Sequence, residues 1–378
     1  MMMESEWRTE KLGELVVFKT GKLDSNASVP DGDYPFFTCS QETFRTNTFS
    51  FDVECVVLAG NNANGIFPLK YFHGKFDAYQ RTYVITTRDA SRLNIKFLYY
   101  ALRLKLSEFR SFATGAATKF LTMTILNDTE IVVPPLPVQR RIAGILSAYD
   151  ELIENSQRRI RLLEDMARAL YREWFVHFRF PLDPSEALAK EDGHESVPRL
   201  PSALGDIPQG WEVKKLGDIL ELNYGKALKK DDRREGEFPV FGSSGQVGTH
   251  DTSLVKGPGI IVGRKGNVGS VFWCDEDFYV IDTAYFVSSA LPLRFLFYVL
   301  PTLNFINSDA AVPGLSRNQA YTLEVAVPPA DLLMMFCELA ESFERQASTL
   351  RRQIHNLRRT RDLLLPRMLN GCCSIVNT

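Results

Sequence analysis

Metal and redox chemistry find few footholds in this chain. Its six cysteines (Cys39, Cys55, Cys274, Cys337, Cys372, Cys373) include no Cys-x-x-Cys pair and have no histidine at ligand spacing. That argues against a zinc site and a disulfide framework, and it suits a reducing cytosol. The histidines His73, His177, His194, His250 and His355 are scattered, without the spacing of a metal site or a catalytic triad. No run of about 18 apolar residues occurs, and the opening "MMMESEWRTEK" lacks the apolar core of a signal peptide. The residues give no sign of export or membrane anchoring, and a cytoplasmic protein is expected.

Catalytic signatures are missing as well. There is no GxxxxGK[ST] phosphate loop and no GxGxxG after a strand, "GNNANG" being the nearest approach. The Pro-Pro pairs are not part of the Asn/Asp-Pro-Pro-aromatic tetrapeptide of an amino-methyltransferase. Glu212-Val-Lys214 has the form of the tail of a nuclease motif, but it sits inside a repeated segment where strand residues are expected. The 44 basic and 46 acidic residues nearly cancel, for a net charge of −2, so a polyanionic partner would have to be met by local patches or with the help of other subunits.

What is present is a long internal repeat. "WRTEKLGEL" at Trp7 returns as "WEVKKLGDI" at Trp211, an offset of 204 that also relates Gly21 to Gly225, Ser40 to Ser244 and Gly65 to Gly269. Further on, "IKFLYYAL" from Ile95 matches "LRFLFYVL" from Leu293, and the "VPP" segments at Val133 and Val327 match at an offset of 194. The second half has lost about ten residues in between. At 378 residues the chain suits two domains. Each half reads as short β-rich runs punctuated by Gly and Asn, then a short amphipathic helix, a strand ending at Pro-Pro, and a long helix.

The long helices carry a heptad seam. Ile142, Leu146, Tyr149, Ile153, Ser156, Ile160, Leu163, Ala167, Leu170 and Trp174 fall at alternating steps of four and three. Phe336, Ala340, Phe343, Ala347, Leu350, Ile354, Leu357, Arg361, Leu364 and Met368 repeat them 194 residues later. A sustained 3.5-residue period marks a coiled-coil seam. Ser156 and Arg361 interrupt it, either as register-setting polar positions or as tolerated ones near an exposed end. A Pro-rich, acidic stretch, "FPLDPSEALAKEDGHESVPRLPSALGDIPQG", reads as an extended linker long enough for the chain to turn back. Two antiparallel rods of about 36 residues, roughly 50 Å at 1.5 Å per residue, would space two similar domains for a ligand repeating every few tens of Å, such as duplex DNA. The plain alternative is a coiled-coil dimerisation arm.

Glycine-rich loops supply the candidate contacts. "GRKGNVG" offers Arg264, Lys265 and Asn267, where Arg and Lys suit guanine or phosphate and Asn suits adenine or a water-bridged base edge. Its counterpart "AGNNANG" sets Asn61 and Asn62 in place of the basic pair, with Asn64 nearby. Lys119, Arg317 and Asn318, beside the matched Leu121 and Leu315, and Lys226 of "YGKALKKDDRR" complete the DNA-binding candidates.

The Trp-x-x-x-x-Leu-Gly openings, the "IIVGRKGNVGSVFW" loop, "PPLPVQRRI" and "IPQGW" occur in duplicated order around two long helices. In this the chain resembles, over nearly its whole length, the specificity subunit of type I restriction-modification enzymes. The resemblance implies an α+β fold with pseudo-twofold symmetry: target-recognition domains over 1–134 and 206–328, antiparallel coiled-coil helices over 135–180 and 329–370 that separate them, a linker over 181–205 and a tail over 371–378. It implies a non-catalytic chain, without a cofactor of its own, that reads a bipartite site in double-stranded DNA. Two modification subunits would supply S-adenosylmethionine-dependent adenine N6 methylation, and a restriction subunit would supply ATP- and Mg2+-dependent cleavage. The competing expectation is a scaffold that binds only protein. The second helix start, "VPPADLLMMF", departs from the Leu-Pro-x-Gln-x-x-Ile form of the first, which puts its docking contacts in question.

Overall fold

A computed structural model describes residues 7–63, 65–115, 118–181, 199–202, 204–305 and 314–370. The chain divides into two compact units: residues 1–157 with 351–378, and residues 158–350. Most of the expected linker and all of the tail lie outside the described residues, and none of the described helices is long and apolar enough to cross a membrane.

In the first unit a six-stranded sheet runs in the order Val16–Thr20, Thr82–Thr87, Phe51–Ala59, Leu69–Ala78, Tyr34–Phe37, Thr43–Thr46. A separate ladder pairs Arg8–Lys11 with Glu130–Val133. The second unit rebuilds the same plan in two pieces. Leu220–Tyr224, Ala284–Ser289, Gly259–Gly263 and Val271–Cys274 form one sheet; Gly245–His250, Phe238–Gly242 and Tyr279–Val280 form another. The acidic turn Asp275-Glu276-Asp277 interrupts what is one continuous strand, Leu69–Ala78, in the first unit. Register survives the break: Phe36 pairs in parallel with Asp77, as Val240 does with Tyr279.

The Leu-Gly of each opening motif has a packing cause. It lies in a single helical turn, Leu12–Leu15 or Leu216–Ile219. A Cβ on Gly13 would stand 2.6 Å from Asn127 Oδ1, and one on Gly217 would stand 2.8 Å from the Tyr321 Cβ. Only glycine lets the helices Met123–Asp128 and Arg317–Tyr321 approach so closely.

The amphipathic helices differ in length. Ile95–Phe112 runs unbroken, whereas Leu293–Val299 gives way to a 3-10 turn at Leu300–Thr302 where Pro301 intervenes. The long helices span Leu136–Tyr171, continued by a π turn to Val176, and Ala330–Leu369. Every seam position named from the sequence is buried or half-buried. In the first unit Ile142, Ala143 and Leu146, near the start of one helix, share a core with Leu365, Met368 and Leu369 at the end of the other. In the second unit Tyr171, Trp174 and Phe175 pack with Leu332, Leu333, Phe336 and Ala340. Start meets end in both units, so the pairing is antiparallel.

Arg361 is no tolerated outlier of the seam. It is 7% exposed, donates to Asp150, and lies 2.9 Å from Asp362, while the Tyr100 hydroxyl donates to Asp150 at 2.6 Å. Burial is the first cause raising the Tyr100 pKa, and its bond to Asp150 adds to the effect.

Gln139 of the Leu-Pro-x-Gln motif has a structural role inside its own unit. Its side chain is fully buried within its own unit: Nε2 donates to the carbonyls of Arg92 and Pro134 at 2.8 Å each, and Oε1 accepts from the Asn94 N–H at 2.9 Å. In the second unit the equivalent residues are Leu333 and Pro292. Proline has no N–H to satisfy, so no glutamine is needed. The departure in the second helix start is thus an internal exchange of a polar clamp for an apolar one.

Candidate nucleic-acid interface

Both glycine-rich loops leave the end of a buried strand and are closed by the same backbone bonds. The Gly60 N–H donates to Arg81 O and Gly60 O accepts from the Leu121 N–H; the Arg264 N–H donates to Thr283 O and Arg264 O accepts from the Leu315 N–H, all at 2.8–2.9 Å. Behind each loop a tyrosine hydroxyl, Tyr83 or Tyr285, donates to the carbonyl of Leu121 or Leu315. These bonds fix the alignment and correct the loop pairing read from the sequence. Arg264 stands where Gly60 stands, and Lys265 where Asn61 stands, so Asn61-Asn62 does not replace Arg264-Lys265 residue for residue.

In the second unit the loop brings Arg264, Lys265 and Arg317 together around an aromatic residue that the motifs did not reveal. The Arg264 guanidinium lies 4.9 Å from the Tyr224 ring centroid and the Arg317 guanidinium 5.2 Å from it, and Tyr224 is 49% exposed. Arg264 also donates to Asp282 O at 3.1 Å, and Lys265 Nζ lies 3.9 Å from the Asp282 carboxylate. Planar guanidinium groups held on an aromatic face keep their outer N–H groups available for base edges or phosphate. Burial raises the Tyr285 hydroxyl above its ordinary pKa, with Tyr224 beside it adding to the effect. Gly266 and Gly269, at φ of +79° and +75°, shape the loop tip. Asn267 is exposed and donates from Nδ2 to Ser244 Oγ at 3.2 Å, Lys226 is exposed just after the Leu220–Tyr224 strand, and Asn318 is exposed on the helix Arg317–Tyr321.

The first unit has a different set on the same frame. Asn61 and Asn62 pair antiparallel with Phe120 and Lys119, which unites three of the sequence candidates; Asn64 lies outside the described residues. Asn61 and Asn62 border an open cleft of about 350 Å3, lined also by Thr38, Cys39, Ser40 and Thr118. Arg81, which no motif singled out, supplies a guanidinium 5.7 Å from the Phe120 centroid. Here the cation comes from the turn between the strands Leu69–Ala78 and Thr82–Thr87, whereas in the second unit Arg264 comes from the loop itself.

Among the described residues no cluster of three or more His, Cys, Asp or Glu side chains could hold a metal. Buried His250 accepts the Arg234 N–H at Nδ1, 3.2 Å away, and faces Asp251 through Nε2. Glu212 and Lys214 lie on a strand and pair with each other at 2.8 Å.

Comparison with known proteins agrees with this architecture. The family "Type I restriction modification DNA specificity domain" matches twice, over residues 4–165 and 208–330. The chain is 35% identical over 163 residues to the type I restriction enzyme EcoDI specificity subunit of Escherichia coli, covering 43% of this chain and 35% of that protein. It is 30% identical over 261 residues to the putative type I specificity subunit S.MpnORF638P of Mycoplasma pneumoniae, covering 67% of this chain and 63% of that one. The chain thus spans about a third and somewhat under two thirds of these two relatives. The crystal structure of a type I restriction-modification S subunit from M. genitalium has the same fold, with a TM-score of 0.64 at 20% identity over 96% of both chains. Two family domains, each followed by a long helix and each carrying its own side chains on a shared loop frame, place this chain in the type I restriction-modification DNA specificity family.

Proposed function

We propose that this chain is the sequence-reading subunit of a type I restriction-modification complex. Each of its two domains, 1–134 and 206–328, reads one half of a split site in double-stranded DNA. The observation that carries the proposal is the pair of loops closed by identical backbone bonds yet furnished with different side chains: Gly60 and Asn61 in one, Arg264 and Lys265 in the other. A conserved frame with exchanged tips is what two different half-sites require.

In this reading Asn61, Asn62, Asn64, Lys119, Lys226, Arg264, Lys265, Asn267, Arg317 and Asn318 are the DNA-binding residues. Arg264 and Arg317 act together across Tyr224, and Asn267 serves chiefly to hold its loop. The helices over 135–180 and 329–370 set the distance between half-sites. The chain works without a cofactor of its own in the cytoplasm, where two modification subunits transfer methyl groups from S-adenosylmethionine to adenine N6. A restriction subunit adds ATP- and Mg2+-dependent cleavage. Near-neutral net charge fits a subunit whose partners share the neutralisation of phosphates.

The test is a genome-wide N6-methyladenine map of cells carrying this chain with its modification partner, set against cells carrying the partner alone. A split motif methylated on both strands only when the chain is present supports the proposal. A stable complex without a new motif favours a protein-binding scaffold instead.

A further inference from the structure

We infer that Cys39 fixes the orientation of the Asn61 amide, so that the first unit reads a hydrogen-bond acceptor on a base edge and rejects cytosine at one position. The inference rests on the DNA-reading role proposed above. Among the described residues, those lining the cleft include polar side chains such as Thr38, Ser40, Asn61 and Asn62 and none that is charged, so the cleft suits a neutral base edge better than a phosphate. The Asn61 backbone is fixed in its ladder with Phe120. The Cys39 thiol donates to Asn61 Oδ1 at 2.9 Å, closer than its alternatives, Arg81 O at 3.4 Å and Thr82 Oγ1 at 3.9 Å.

An unconstrained asparagine presents carbonyl and amide together and pairs bidentately with adenine N6 and N7. With Oδ1 already accepting from the thiol, Asn61 offers chiefly its Nδ2 donor to the cleft. In the major groove guanine, adenine N7 and thymine O4 present acceptors, whereas cytosine presents only its N4 donor. Cys39 is a positioning residue that acts through Asn61.

The test maps N6-methyladenine in cells carrying the modification partner with the wild-type chain, Asn61→Asp, Cys39→Ser or Cys39→Ala. Aspartate can only accept, so Asn61→Asp is expected to move one position of a single half-site to cytosine or adenine, with a loss of roughly tenfold or more on the original base. Cys39→Ser keeps the donor and the original motif. Cys39→Ala releases the amide and broadens that position. Should Asn61→Asp give no methylation at all, the serine and alanine variants still decide: a Cys39→Ala motif identical to wild type overturns the inference, as does a Cys39→Ser motif as broad as that of Cys39→Ala. An unchanged motif with Asn61→Asp also overturns it. Absence of any chain-dependent motif would instead defeat the proposed function.

Discussion

Replacing Gln139 with leucine would strand three backbone groups that are buried or part-buried: the Asn94 N–H and the carbonyls of Arg92 and Pro134. A loss of about 2–4 kcal/mol is expected from urea unfolding of the full chain. Adding Asn94→Pro recreates the solution found at Pro292 and Leu333, so the double variant should be more stable than the sum of the two single losses. At the loop of the second unit, Arg264→Ala removes a guanidinium from the face of Tyr224. Methylation mapping should then show altered bases in one half-site and an untouched other half. Arg264→Lys should not restore them, since an ammonium neither stacks nor forks. Lys70 adds a pH signature: burial lowers its pKa to about 8, although the Glu42 carboxylate opposes the shift. The unfolded chain therefore holds more protons at this site between pH 8 and 10, and the contribution of Lys70 to stability rises with pH there. Lys70→Met should flatten that slope in pH-dependent denaturation.

At the scale of elements, the seam was legible because burial and periodicity are one physical demand, and none of the twenty positions read from the heptads is exposed. The Leu-Gly motif was visible, but its cause was not, because Asn127 and Tyr321 lie far away in sequence. Pattern alone also left Arg361 open between two roles. Its partner Asp150, and the Tyr100 that donates to Asp150, come from two other helices, and no local spacing links them. Asp150→Ala should cost about 2–3 kcal/mol in unfolding measurements, less than a fully buried pair because Asp362 remains beside the guanidinium. The loop contacts were half legible. Glycine and charge marked the loops, and the offset of 204 already sets Gly60 against Arg264, as the backbone bonds to Leu121 and Leu315 do; but Tyr224 and Arg81 belong to no motif.

For the whole molecule, inserting one heptad into each long helix in register adds roughly 10 Å of rod, about three base pairs of DNA. If the helices set the gap, methylation maps should show unchanged half-sites with a longer spacer, and an altered half-site with the old spacer would count against that role. The unit that is begun first is also the last to be finished. Its seat at Ile142 and Leu146 waits for Leu365, Met368 and Leu369, which are some 220 residues further along. At about 5–20 residues per second, a ribosome leaves that apolar groove open for roughly 10–40 s. A stop codon just ahead of Leu364 would accordingly damage the domain encoded furthest from it, and chaperones or proteases that meet the growing chain would find their opening there.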